Sequence, residues 1–128
     1  MRFPKGIRVK DIRQGAGDVA SNGRIALIHY DCFLPRGEKA DTSRDKPYEV
    51  QFEIGQRNVF PGIEYGVVGM AVGGIRSVRV SPQLTYYERQ LNPGLPENVA
   101  LRYEIELLRL SDHWDNAVYA SVFPWLAK

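Results

Sequence analysis

"NVFPGIEYGVVGMAVGG", residues 58–74, is the most helix-like apolar segment of the chain, yet five of its seventeen positions are glycine. A glycine in a helix interior costs about 1 kcal/mol relative to alanine. Pro61 suits a first-turn position, where its missing N–H leaves nothing unpaired. Ile63, Val67 and Met70 then share one face, with Tyr65 and Val68 as further candidates for it. Gly66 and Gly69 make sense where a sheet must curl closely around the helix, because a missing side chain lets backbones approach and tertiary packing outweighs propensity. Gly73 and Gly74 are expected to end the helix and turn the chain into the next strand.

The segments around this helix have the period of strands. In residues 48–54 Tyr48, Val50, Phe52 and Ile54 alternate with Glu49, Gln51 and Glu53; in residues 101–107 Leu101, Tyr103, Ile105 and Leu107 alternate with Arg102, Glu104 and Glu106. Both read as half-buried strands with one wet face, as antiparallel sheets have. Weaker strand patterns cover "IRVKDI" (7–12), "RIALIHYDCFL" (24–34) and "IRSVRVS" (75–81), separated by turns rich in Gly, Pro and Asn. Five or so strands and one short helix define an α+β domain, with an antiparallel sheet packed on the helix.

Composition sets the outer limits. The 128 residues suit one domain, with 44% hydrophobic and 25% charged residues and a net charge of +2 from interspersed groups. That balance makes no case for nucleic acid, and no stretch approaches the length of a membrane span. Cys32 is the only cysteine, which excludes an intramolecular disulfide. With no apolar run of signal-peptide length near Met1, a cytoplasmic protein is expected.

Cofactor and metal motifs fail on context. "GAGDVA" (15–20) fits a dinucleotide fingerprint in letters only, since "SNG" and a strand follow where a helix is required. His29 and His113 are too few for a zinc site without other ligands. Asp31, beside Cys32, disfavours a thiolate. No cofactor and no metal are expected.

One ordered set of motifs remains. G-x-G precedes a turn, H-Y lies in the next strand, and D-x-S-R-D follows a glycine; then come F-x-I-G, P-G-I-E-x-G-x-x-G-M with G-G-x-R, V-S-P with nearby tyrosines, and L-P-x-N-x-x-L-x-Y-x-I-E-L-L. In this order and spacing the chain resembles the FKBP-type peptidyl-prolyl cis-trans isomerases over roughly residues 6 to 110. The resemblance implies a curved antiparallel sheet of five to six strands wrapped around one short helix, with an apolar pocket between them. Residues 1–111 would form this domain. Residues 112–128, "DHWDNAVYASVFPWLAK", would be a C-terminal extension, read as a short helix packed on the domain or as a docking element.

The resemblance also implies an activity: rotation about Xaa-Pro bonds in peptides or folding proteins, without a cofactor. Carried over residue by residue, Tyr30, Asp41 and Tyr86 would be the polar, catalytic members of the pocket. Val59, Phe60, Ile63, Leu95 and Tyr103 would contact substrate, with a further position falling on Tyr48 or Val50. Val59 or Phe60 would also offer a backbone N–H. Taken without the resemblance, Tyr30, Phe60 and Tyr103 read first as core residues on inward faces and Asp41 as a turn or capping residue. Macrolide ligands of the family are implied as well. Three positions depart from the family pattern: Ala40 and Ile63 replace aromatics, and Tyr87 replaces a glycine. Since aromatic side chains dominate apolar pockets, the expectation is a weakened isomerase. The alternative is a non-catalytic protein-binding module on the same fold.

Overall fold

The computed structural model describes residues 3–45 and 49–115. Six strands form one antiparallel sheet: β1 (Ile7–Arg13), β2 (Ile25–Phe33), β3 (Lys39–Thr42), β4 (Val50–Glu53), β5 (Ile75–Val80) and β6 (Leu101–Ser111). The order is β1-β5-β6-β2-β3, and β4 also pairs with β2. β3 and β4 share one edge of β2 in succession, β3 against Asp31 to Phe33 and β4 against Ile25 to Ile28. Helix α1 (Pro61–Val67) packs on β5, β6 and β1. The α+β architecture expected from the alternating strands and single glycine-rich helix is the one observed.

β6 is the central strand by burial and behaves as its sequence period requires. Leu101, Tyr103, Ile105 and Leu107 are at most 2% exposed, while Arg102, Glu104 and Glu106 face outward and are half-buried. β4 departs from the pattern. Gln51 was expected on a wet face but is 2% exposed, because Asp115 covers it. The Gln51 side-chain amide donates to the Asp115 carbonyl at 3.0 Å, and the Asp115 N–H donates back at 2.8 Å. A pair of hydrogen bonds thus satisfies a polar group that would otherwise be costly to bury. β1 carries a bulge between Asp11 and Arg13, which leaves Ile12 exposed.

Helix α1 is shorter than its apolar spacing suggests. It ends at Val67, and Val68 is already extended, so Gly73 and Gly74 do not terminate it. Gly69 does the turning instead, with φ +87°, a conformation that costs glycine little. Its N–H donates to the Ala20 carbonyl at 2.9 Å. Ile63 and Val67 are fully buried, Met70 is buried just past the helix, and Tyr65 points outward. The close approach expected at Gly66 is present: a Cβ there would lie 2.7 Å from Val78 Cγ2.

The "GAGDVA" stretch forms a loop that docks on the chain after α1. The Gly17 N–H donates to the Val72 carbonyl, and the Ala20 N–H to the Met70 carbonyl. A side chain at Gly15 would meet the Ala71 and Val72 carbonyls at 2.3 Å. The glycines of this letter pattern therefore serve a backbone-to-backbone contact, and no helix follows them.

A second short helix was not foreseen. A 3₁₀ turn (Pro82–Leu84) leads into α2 (Tyr86–Leu91), a stretch with no apolar period of its own. The helix expected beyond Asp112 falls mostly on residues 116–128, outside the described residues, and Tyr48 is outside them too. Among the described residues no helix is long and apolar enough to cross a membrane.

Candidate functional site

The strands and α2 enclose a cavity of about 320 Å³ beside the start of α1, within the usual size range of small-ligand sites. Phe60, Leu95, Leu101 and Tyr103 supply much of its apolar wall; Asp41 and Glu88 are the carboxylates among the described residues that line it. Each group is placed by a distinct local cause. Phe60 is the residue before Pro61, and its carbonyl accepts the Ile63 and Glu64 N–H groups, so the first turn of α1 fixes it. Glu64, 5% exposed, accepts the Arg57 N–H at 2.6 Å and so ties the preceding loop to the helix. Burial pushes the Glu64 carboxyl above its ordinary value, against the pull of the Arg57 and Gly55 backbone groups.

Tyr30 projects from β2 and meets the Tyr103 ring edge-on at a centroid distance of 5.7 Å, a favoured aromatic arrangement. Its hydroxyl donates to Asp41 Oδ2 at 2.9 Å, while the Thr42 N–H donates to Oδ1 at 2.8 Å. Asp41 is therefore held at both oxygens in a defined orientation at the cavity wall. Burial first, then the Asp41 charge, raises the Tyr30 pKa strongly, so its hydroxyl stays a proton donor. Cys32 lines the same cavity; burial and the Glu88 charge push its thiol up to about 12. It is not a nucleophile at neutral pH.

The structure brings together Asp41, Phe60, Leu95 and Tyr103 as lining residues, with Tyr30 behind Asp41. The remaining expected site residues lie elsewhere. Val50 and Ile63 are completely buried in the core beneath and do not line the cavity. Val59 faces a separate hollow with Pro61, Glu64, Tyr65, Leu84 and Tyr87. Tyr86 is 56% exposed at the start of α2 and lines a third hollow, which shares Leu95 with the first.

Glu88 went unread in the sequence. It sits on α2, is 5% exposed, and accepts the Tyr103 hydroxyl at Oε2 at 2.7 Å. Nothing in "TYYERQL" announces a buried acid, because a glutamate one turn into a short helix ordinarily faces water. Only the fold of α2 back over Tyr103 turns it inward. Burial raises its pKa above the usual 4.5, opposed by the Tyr103 hydrogen bond.

A raised carboxyl pKa in the folded state means that folding is favoured by protonation. This contribution is full below the unfolded value near 4.5 and is lost as pH rises through the folded value. Glu88→Gln removes it, so the stability of the variant relative to the parent is expected to increase with pH above about 4.5. Urea unfolding of both proteins at pH 5 and pH 8 measures this, and a difference independent of pH would contradict it.

Among the described residues no group of three or more His, Cys, Asp or Glu side chains is placed to hold a metal ion. The curved sheet thus packs on α1, with an aromatic-walled hollow beside the helix and a tyrosine–aspartate pair at its wall. The chain belongs to the FKBP-type peptidyl-prolyl cis-trans isomerase family, whose model matches residues 17–108. It is 36% identical over 107 residues to the peptidyl-prolyl cis-trans isomerase FKBP1A of Xenopus laevis, covering 82% of this chain and 98% of that protein. It is 35% identical over 107 residues to FK506-binding protein 4 of Aspergillus oryzae, covering 83% of this chain and 22% of that one. For the 46 kDa FK506-binding nuclear protein of Spodoptera frugiperda the identity is 29% over 102 residues, covering 80% of this chain and 25% of that one. The chain thus spans about a quarter or less of the longer relatives and nearly all of the short one.

Proposed function

We propose that this protein catalyses cis-trans isomerisation of Xaa-Pro bonds in peptides and folding proteins, with the proline ring held in the cavity between Phe60 and Tyr103. The observation that carries this reading is the fixed Asp41 carboxylate beside an aromatic-walled cavity, with the buried Tyr30 hydroxyl holding it.

The chemistry asked of such a site is modest. Amide resonance makes an Xaa-Pro bond rotate in tens to hundreds of seconds. Rotation breaks that resonance, and the twisted amide has less charge separation than the planar form. An apolar wall that strips water from the amide disfavours the planar ground state and leaves the twisted one comparatively untouched. Asp41, held at the cavity wall, would face the substrate carbonyl, whose carbon becomes more electrophilic as resonance is lost. Every 1.4 kcal/mol of selective stabilisation gives about tenfold in rate. Tyr86, on the neighbouring hollow that shares Leu95, would contact the chain flanking the proline. Val59, Ile63 and Val50 belong to the same buried cluster as Phe60 and Tyr103 and would act through packing.

Ala40 lines the cavity where the family pattern has an aromatic, so the proposed activity is weaker than that of a fully aromatic site. FK506, for which several relatives are named, would compete for the same cavity. A single buried cysteine suits a reducing compartment, and we take the cytoplasm as its place.

The test is NMR exchange spectroscopy on a short Leu-Pro or Phe-Pro peptide with catalytic amounts of protein. Exchange should accelerate, and Asp41→Ala and Tyr30→Phe should each reduce the acceleration by about tenfold, the effect of losing one charge-assisted hydrogen bond. No acceleration across several residues before proline would overturn the enzyme reading and favour a binding module.

A further inference from the structure

We propose, resting on the isomerase reading, that the cavity selects substrates carrying a lysine or arginine next to the proline, and that Glu88 is the residue that recognises it. Glu88 Oε1 is buried and has no hydrogen-bond partner, although Oε2 takes the Tyr103 hydroxyl. An orphaned carboxylate oxygen in a buried setting leaves desolvation uncompensated. A ligand that brings an N–H donor to Oε1 removes that cost.

The surroundings decide which donor. Asp41 is a second carboxylate on the same cavity, and no lysine or arginine is among the described residues that line it. The neighbouring cation on α2, Arg89, acts on Glu88 only through its charge and spends its hydrogen bonds on the Pro82 carbonyl and Thr85 Oγ1, so it brings no donor to Oε1. Arg102 pairs with Glu104 at 2.6 Å and lies over the Phe33 ring. A cavity whose described lining holds two acids and no cation complements a positive charge. Space is available because Ala40 lines the cavity with only a methyl group. Leu91, Leu95 and Leu101 offer an apolar track for the methylenes of a lysine or arginine stem, leaving the charged head for Glu88. The specificity thus rests on Glu88, which the family pattern did not point to, and on Ala40, which departs from it.

The experiment uses the intact chain and a peptide set differing only at the position before or after proline: lysine, arginine, norleucine and glutamate. Dissociation constants come from NMR titration and rates from exchange spectroscopy on the same samples. Lysine and arginine peptides should bind about tenfold tighter than norleucine, with glutamate weakest. Glu88→Gln should bring the lysine-to-norleucine ratio near one. Ala40→Phe, which fills the space without touching the acid, should also reduce it. Equal affinity for lysine and norleucine peptides at both positions overturns the inference, whatever the rates. So does a lysine preference that survives Glu88→Gln and disappears in Asp41→Asn. A lysine preference in binding with no acceleration of any peptide would leave this assignment standing and sink the isomerase reading instead.

Discussion

Arg76→Ala is expected to lower the free energy of unfolding by about 3 kcal/mol, and the reason lies at the end of α1. The last carbonyls of any helix lack intrahelical donors. In this chain Arg76 Nη1 reaches across from β5 and donates to the Gly66 carbonyl at 3.0 Å and the Val68 carbonyl at 2.9 Å. Its Nε donates to Asp11 Oδ1 at 2.7 Å, and the guanidinium lies over the Phe3 ring. One buried side chain, 6% exposed, thus ties α1, β1 and β5 together. Truncation orphans two carbonyls, at about 1–3 kcal/mol for each buried group. The loss at Asp11 is smaller, because that carboxylate is about a third exposed and water replaces part of what Arg76 gave.

The Asp11 share has a pH signature. Its pKa is lowered, chiefly by the Arg76 hydrogen bond, so the stability it contributes is present above the unfolded value near 3.8 and lost as pH falls through the folded value. The gap between parent and Arg76→Ala should therefore narrow below about pH 4. Arg76→Lys should recover only part of the loss, since a single ammonium on a flexible stem cannot reproduce the planar fork. Urea denaturation measures all three, and a loss under 1 kcal/mol for Arg76→Ala at pH 7 would contradict the account.

The fold was legible where one physical effect dominates. β6 alternates because one face meets α1 and the other meets water, and its period of two can be read directly. α1 was legible in kind but its end was not: Val68 and Met70 continue the apolar spacing, while the positive φ of Gly69, with its N–H bonded to Ala20, turns the chain there. Gln51 misled because its cover, Asp115, is 64 positions away. The site divides the same way. Asp41, Phe60, Leu95 and Tyr103 follow from ordered motifs. Glu88 does not, because its burial depends on how α2 folds over β6. Tyr86 was expected to enter the cavity, yet forming α2 rather than a loop directs it to the neighbouring hollow.

Gly62→Ala separates local propensity from packing by the sign of its effect. Gly62 lies in the first turn of α1, where alanine should gain up to about 1 kcal/mol of helix propensity. The added Cβ would sit 2.4 Å from Val80 Cγ2 and 3.1 Å from the Tyr103 ring. Val80 is completely buried and Tyr103 is 1% exposed, so neither has room to withdraw. Overpacking of this kind costs about 1–3 kcal/mol or more, and the severity of the Val80 contact puts the expected net destabilisation near 2 kcal/mol. The strain also reaches the site, because Tyr103 holds Glu88 through its hydroxyl and Tyr30 through its ring edge. Exposed Gly94, whose nearest neighbour to a built Cβ is Asn92 Oδ1 at 3.3 Å, supplies the contrasting substitution, expected to stay within about 0.5 kcal/mol of the parent. Adding Val80→Ala to Gly62→Ala should make the double variant more stable than the sum of the single losses predicts, the sign of a relieved clash. If Gly62→Ala instead proves more stable than the parent, propensity governs α1 and the close approach of helix to sheet is not what selects glycine there.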